Sequence, residues 1–189
     1  MVDSKLFYVD VETTGLDSKQ HDILQLAYII EINGEIKEEG ELFCQPFRYD
    51  TINAKALEVN KLTIAQIKQF QTPQEVYTKL IKVLDKYVDK YNKNDKFSMA
   101  GYNVRFDHDF LNSFFLKNGD KYCFSYFDHH LLSVDSLVYI LEYKGLLKLE
   151  SCKLINIAKY FNIDFLAHDA LADIKVTRQI FQKLLEFIK

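Results

Sequence analysis

The fold is decided by residues 23–44, which read ILQLAYIIEINGEIKEEGELFC. The apolar run 23–32 predicts a strand and is followed by Asn33-Gly34, a dipeptide typical of a tight hairpin turn, so residues 35–44 are predicted as the returning strand. A similar run, LFYVDV at residues 6–11, precedes them. The pattern therefore predicts an antiparallel meander of strands near the start of the chain.

After the meander, strand and helix signals alternate. The stretch 72–75, TPQE, predicts a helix start, because it combines a capping box with proline at the first helical position. Its apolar stripe continues to Tyr91, and Asp135 and Ser151 are predicted as N-caps of two later helices. Three further elements are predicted: a strand at 97–101 and helices at 104–117 and 169–188. Strands followed by mixed strands and helices indicate an α/β fold with a mixed sheet.

The composition indicates a folded chain near charge neutrality. The 189 residues carry a formal net charge of −3 and are 48% hydrophobic. This predicts one ordered domain over residues 1–189 and excludes intrinsic disorder. No apolar run reaches the roughly 18–20 residues of a membrane-spanning helix, so no membrane association is expected. The first residues lack a signal-peptide pattern, and the 3 cysteines are widely spaced, which together favour a reducing, cytoplasmic location.

Four acidic residues stand where a purely structural role would be costly. Asp10 and Glu12 lie two apart on the first predicted strand, so both project from one face of the sheet. Asp107 and Asp173 each begin the apolar stripe of a predicted helix. Inward-facing carboxylates need a partner or a metal, and oxygen ligands without cysteine favour Mg²⁺ or Mn²⁺ over zinc. Each acid alone has an ordinary explanation, but the four together, with His168 close to Asp173, predict a metal site.

Three ordered motifs resemble those of the DnaQ-like, DEDDh-type 3′→5′ exonucleases. They are DVETTGL at residues 10–16, NVRFDHDFL at 103–111 and HDALAD at 168–173. The histidine five residues before the last aspartate is typical of the h-type. Residues 56–63 and 135–137 are similar to two further family segments, so the resemblance covers nearly the whole chain. It implies the RNase H-like fold, a mixed sheet that is antiparallel at first and flanked by helices.

The resemblance also implies roles for individual residues. Asp10, Glu12 and Asp173 would bind one of two divalent cations. Asp10 would bridge to the second cation, and Asp107 would complete that second site directly or through water. His168 would be the general base, and the two cations would stabilise a phosphodiester displacement that releases nucleoside 5′-monophosphates. The residues expected to bind the terminal nucleotide are Thr13, Leu16, Asn103 and Phe106.

The implied substrate is single-stranded nucleic acid with a free 3′ end. DNA is slightly favoured, because the second motif is closer to the DNA and RNase T branches than to oligoribonuclease. RNA trimming of the RNase T or oligoribonuclease kind stays open. Asn60 and Lys61 stand where relatives place a histidine and a glycine, which bears on substrate preference. A DNA polymerase or a replication or repair protein could be the partner, and the oligomeric state is open.

Two other function classes fit parts of the sequence. His-Asp dipeptides at 21–22, 108–109 and 168–169 are similar to those of HD-type metal phosphohydrolases, but such domains are all-helical. The chain could instead be a nucleic-acid-binding module without catalysis, in which case a catalytic residue should be missing; all five are present. The cluster at 128–130, DHH, is expected in a solvated turn.

Overall fold

The computed structural model describes residues 4–164 and 169–188, and its strands form a single mixed sheet. The strands are β1 (Lys5–Thr13), β2 (Ile23–Ile32), β3 (Glu35–Phe43), β4 (Phe97–Gly101) and β5 (Phe127–Ser133). Their spatial order is β3-β2-β1-β4-β5. Pairing is antiparallel between β1, β2 and β3, and parallel between β1, β4 and β5. The predicted α/β class and the N-terminal meander are confirmed.

The hairpin between β2 and β3 follows from local chemistry. Asn33 and Gly34 both adopt positive φ angles, 54° and 84°, the conformation that a tight two-residue hairpin turn requires. β2 is buried along almost its whole length, which explains its continuous apolar run. β3 lies at one edge of the sheet and is exposed or half-buried, with glutamate and lysine side chains that discourage pairing with another sheet.

Helices cover both faces of the sheet. They are α1 (Ala54–Asn60), α2 (Ile64–Ile67), α3 (Pro73–Leu84), α4 (Val104–Lys117), α5 (Val134–Tyr143), α6 (Leu154–Tyr160) and α7 (Ala170–Leu185). α3 begins with the predicted capping box: Thr72 accepts from the backbone of Glu75, whose carboxylate accepts from Thr72 N at 2.8 Å. None of the described helices is both long and apolar enough to cross a bilayer.

Three predictions about helix ends were wrong. α3 ends at Leu84, and Tyr91 is 87% exposed instead of extending the apolar stripe, because the chain there forms turns in which Asp89 accepts from Tyr91 N. The N-cap of α5 is Ser133 rather than Asp135, and the N-cap of α6 is Lys153 rather than Ser151. The side chains of Asp135 and Ser151 are engaged elsewhere, as acceptors from Asn103 N and Asn156 Nδ2.

The two faces of β1 pack against different helices. Val9 and Val11 belong to the core that includes residues of α3 and α4. Tyr8 packs on the opposite face, in a cluster with Ile174 of α7. α5 and α6 pack against the outer side of α7 in a further cluster. Because side chains alternate along a strand, the even-numbered residues of β1 that follow Tyr8 project towards α7.

The left-handed backbone conformation of Lys61, the C-cap of α1, can be tested by substitution. Lys61 is left-handed, with φ 55°, whereas Lys68, the C-cap of α2, is right-handed, with φ −64°. Lys61→Gly should raise the free energy of unfolding by about 1 kcal/mol, because a Cβ is strained in the left-handed region. Lys68→Gly, the matched control, should lower it by about 0.5–1 kcal/mol. Thermal unfolding should show a gain of about 2–4 °C for the first variant alone; equal shifts of both would contradict the assignment.

Candidate active site

Three carboxylates meet at the carboxyl end of β1. Asp10 and Glu12 project from the face of β1 that α7 covers, and Asp173 lies in the first turn of α7. One carboxylate oxygen from each lies within 4.8 Å of those of the other two. The start of α7 is fixed by its N-cap Asp169, whose side chain accepts from Ala172 N at 2.9 Å. Together they offer a set of oxygen ligands of the kind that divalent cations bind.

Asp107 reaches the same point from the other side of the sheet. β4 pairs with β1 only as far as Tyr8, so the backbone of β1 beyond it has no strand partner on that side. There, Asp107 Oδ1 accepts from Val11 N at 3.0 Å, and Asp107 is only 3% exposed. A Cβ on Gly101, the last residue of β4, would lie 2.9 Å from Val9 O, so glycine permits the close approach that leads into α4.

The electrostatics of this four-carboxylate cluster are unfavourable without a cation. Burial, and then the charges of Asp107, Glu12 and Asp173, hold the pKa of Asp10 well above its usual range. Burial and the charge of Asp173 raise the pKa of Glu12 to about 7. Burial raises the pKa of Asp107 to about 8, although the hydrogen bond from Val11 N opposes the shift.

Three of the four carboxylates, those of Asp10, Glu12 and Asp107, form no ion pair with lysine or arginine in the part of the chain that the structure describes. A bound divalent cation would favour the charged form of all of them. The cluster therefore fits a metal whose ligands are carboxylate oxygens. His168, the predicted general base, lies outside the described residues.

A cavity of about 270 Å³ opens beside Glu12. Among the predicted substrate-binding residues, Thr13, Leu16 and Phe106 line it. Asn103 does not: it is exposed at the N-cap of α4, with a positive φ of 56°. The other wall consists of residues on α1 and just before it, of which the sequence had singled out only Asn60, for its bearing on substrate preference: Asn53, Lys55, Ala56, Val59 and Asn60.

The α1 wall is tied to the end of β1 by two hydrogen bonds. Asn60 Nδ2 donates to Thr13 O at 3.0 Å, and Asn53 N donates to Thr14 O at 2.9 Å. Because these bonds join residues 39 or more positions apart, helix periodicity could not reveal them. The similarity of residues 56–63 to a family segment was the available signal.

The remaining candidate clusters are separate from the carboxylates. The 128–130 cluster lies on β5 and not in a turn, with both histidine side chains exposed and their rings 4.0 Å apart. His21 packs against Gly15 in the loop after β1, and the ring of His108 lies 5.4 Å from that of Phe124. The five-stranded sheet excludes the all-helical HD-type fold.

Comparison with known proteins identifies the family. The family model of the RNase_T exonucleases matches residues 7–181. The chain belongs to this exonuclease family. The match covers all three motifs and confirms the resemblance to DnaQ-like exonucleases drawn from the sequence.

The similar proteins described below are longer than this chain. It is 26% identical over 188 residues to "DNA polymerase III PolC-type" of Thermotoga maritima, spanning 99% of this chain and 12% of that protein. A structure of E. coli Exonuclease I in complex with a dT13 oligonucleotide has a TM-score of 0.74 at 21% identity, covering 96% of this chain and 40% of that one. A product-bound structure of exonuclease I has a TM-score of 0.77 at 20% identity, covering 97% and 43%. These structures confirm the RNase H-like fold.

The raised pKa of Glu12 predicts that Glu12→Gln stabilises the folded protein in a pH-dependent way. In chelator at pH 8 this variant should raise the free energy of unfolding by about 1–3 kcal/mol, because a carboxylate with a folded-state pKa of about 7 against about 4.3 when unfolded opposes folding once ionised. At pH 4.5 the gain should vanish, because Glu12 is then protonated in the folded protein. Denaturant titrations at both pH values measure this.

The same variant should lose stabilisation by metal. Added Mg²⁺ or Mn²⁺ should raise the melting temperature of the unmodified protein more than that of Glu12→Gln. Glu150→Gln, a change at an exposed glutamate between α5 and α6, is the control and should follow the unmodified protein throughout. An equal gain in the stability of Glu12→Gln at pH 8 and at pH 4.5 would refute the repulsion that raises the pKa of Glu12.

Proposed function

We propose that this domain is a metal-dependent 3′→5′ exonuclease that removes nucleoside 5′-monophosphates from the 3′ end of single-stranded nucleic acid, with DNA preferred over RNA. The observation that carries the proposal is that Glu12 belongs both to the four-carboxylate cluster and to the lining of the adjacent cavity. A volume of about 270 Å³ suits one terminal nucleotide. Membership of the exonuclease family supports the same reaction class.

The carboxylates would hold two divalent cations, Mg²⁺ or Mn²⁺. Asp10, Glu12 and Asp173 would bind one, and Asp10 with Asp107 the other. When bound, such a pair of cations stabilises the attacking and leaving oxygens of a phosphodiester displacement. The protein contributes a preformed site: Asp107 is fixed by Val11 N, and Asp173 by the capped start of α7.

His168 would take the proton from the attacking water. In the sequence it directly precedes Asp169, the N-cap of α7, and stands five residues before Asp173. A histidine whose pKa is near neutrality is suited to accept a proton at physiological pH. Its substitution should therefore lower turnover more than substrate affinity.

The terminal nucleotide would occupy the cavity beside Glu12. Leu16, Val59 and Phe106 offer apolar surface for the base and sugar, and Thr13 lies next to Glu12 at the end of β1. Apolar and stacking contacts accept any base, so cleavage should be tolerant of sequence. Asn103, exposed at the start of α4, would contact the nucleotide from outside the cavity.

The preference for DNA is supported by the named relatives. The curated relatives are DNA polymerases of the PolC type, and the Exonuclease I structures include complexes with dT13 and dA16 oligonucleotides. Because the chain spans 12% of the Thermotoga maritima polymerase, a DNA polymerase is the proposed partner, in a cytoplasmic proofreading or repair setting. Trimming of RNA is the second candidate, supported by the RNase_T family match.

A gel time course on 5′-labelled single-stranded DNA and RNA of equal sequence tests the proposal. With Mg²⁺ or Mn²⁺, DNA should shorten from its 3′ end faster than RNA, and chelator should stop the reaction. Faster RNA shortening would establish the second candidate. Metal-independent binding without any product would identify a binding module instead.

Variants separate the proposed roles. Asp10→Ala and Asp173→Ala should each lower kcat on the order of 10³-fold, because metal binding is lost. His168→Gln should lower kcat about 10²-fold or more with little change in KM. Asp50→Asn, at an exposed aspartate outside the cluster, is the control. Full activity of either aspartate variant would rule out the two-metal mechanism.

A further inference from the structure

The loop between β1 and β2, residues 14–22, is a closed and internally bonded unit. Its two ends are joined, because Thr14 N donates to Asp22 O at 2.8 Å and Asp22 N donates to Thr14 Oγ1 at 2.9 Å. At its centre, Asp17 O accepts from Gln20 N and His21 N at 3.0 and 2.8 Å. This 14–22 loop contributes Leu16 to the cavity, and the leucine is 85% exposed.

Side chains in the last turns of α4 donate hydrogen bonds to the 14–22 loop. Lys117 Nζ donates to His21 O and to Asp22 Oδ1, both at 2.7 Å, and to Ser18 O at 3.3 Å. Ser113 Oγ, one turn earlier on the same face of the helix, donates to Ser18 O at 2.6 Å. The side chain of Asp22 is 3% exposed and that of Lys117 is 25% exposed, so the acid of this ion pair is buried and its partner is largely covered.

These contacts reach Leu16 through His21. A Cβ on Gly15 would lie 2.3 Å from His21 Cδ2, so the imidazole packs directly on the glycine backbone. Asp17 N donates to His21 Nδ1 at 3.2 Å. Both neighbours of Leu16 in the chain therefore contact the residue whose carbonyl Lys117 holds. The backbone at Leu16 is fixed although its side chain is open to solvent.

We infer that Ser113 and Lys117 are positioning residues, which fix the 14–22 loop. They hold Leu16 at the rim of the cavity, at a constant distance from Phe106 and Asp107. One helix, α4, supplies Ser113, Lys117, Phe106 and Asp107. It therefore sets the distance between the carboxylate cluster and Leu16. The inference rests on the proposed function, in which the cavity binds the terminal nucleotide. A loop ordered before binding avoids the entropy loss of ordering it around the substrate.

A double-mutant cycle distinguishes positioning from a general structural role. Ser113→Ala and Lys117→Met should each raise KM, and the Kd for a single-stranded DNA oligonucleotide in chelator, about 5- to 10-fold, with kcat changed less than 2-fold. In a Leu16→Ala background each should add less than 2-fold, because the group that they position is gone. Lys117→Arg should restore most of the affinity. Lys86→Met, which removes a lysine paired with Glu38 at 2.9 Å beyond α3, is the control and should change neither constant.

Hydrogen exchange supplies a measurement independent of nuclease activity. In Ser113→Ala and Lys117→Met, the amides of Gln20 and His21 should exchange at least about 10-fold faster, while those in the centre of β2 keep their protection. Unchanged exchange in the loop, or additive effects on Kd in the Leu16→Ala background, would overturn the inference. Faster loop exchange in a protein that cuts no substrate would refute the proposed function and leave the fixing of the loop by α4 established.

Discussion

The repulsion among four carboxylates at the carboxyl end of β1 is the constraint on which the rest of the structure depends. Asp10, Glu12, Asp107 and Asp173 come from one strand and two helices on opposite faces of the sheet. Burial and mutual charge raise the pKa of each of the first three. Such an arrangement persists in a folded chain only where surrounding packing holds it, because buried like charges oppose folding.

The architecture supplies that packing on both sides. Valines on one face of β1 pack into the core with α3 and α4, and Tyr8 on the other packs with α7. Because β4 pairs with β1 only as far as Tyr8, a gap is left in the sheet beside the last residues of β1. Asp107 fills the gap and takes the hydrogen bond from Val11 N that a strand would have taken. The incomplete pairing is thus what lets an acid from the far face join the site.

The sequence predicted the elements whose signals are local. The Asn33-Gly34 turn fixed the meander, and α4 was predicted at 104–117, where the structure has it, because apolar periodicity ends there at an asparagine-glycine pair. The three-carboxylate group could also be placed, since the period of two along β1 and the stripe on α7 both point inwards. Charge patterning and periodicity are properties of neighbouring residues, so they are readable without a fold.

One error and one omission, at Asp135 and Asn60, involve bonds between distant residues. Asp135 resembled an N-cap, but its carboxylate accepts from Asn103 N, 32 positions earlier in the chain. The α1 wall of the cavity depends on Asn60 reaching Thr13 O, 47 positions away. Nothing in the local pattern around either residue encodes its partner. Positions of this kind become interpretable only when the sheet has fixed which segments are neighbours.

Buried aspartates have different roles at the two ends of α4. At its first turn the helix presents Asp107 to other acids, with no lysine or arginine of the described residues in an ion pair with it. At its last turn it presents Lys117 to the buried Asp22, whose charge the protein balances itself. A buried acid paired with its own cation stabilises a loop, whereas buried acids with raised pKa values take up protons or favour a bound cation. The helix therefore joins an ion pair between Lys117 and Asp22 to a carboxylate cluster that fits a divalent cation, and it keeps the two at a fixed distance.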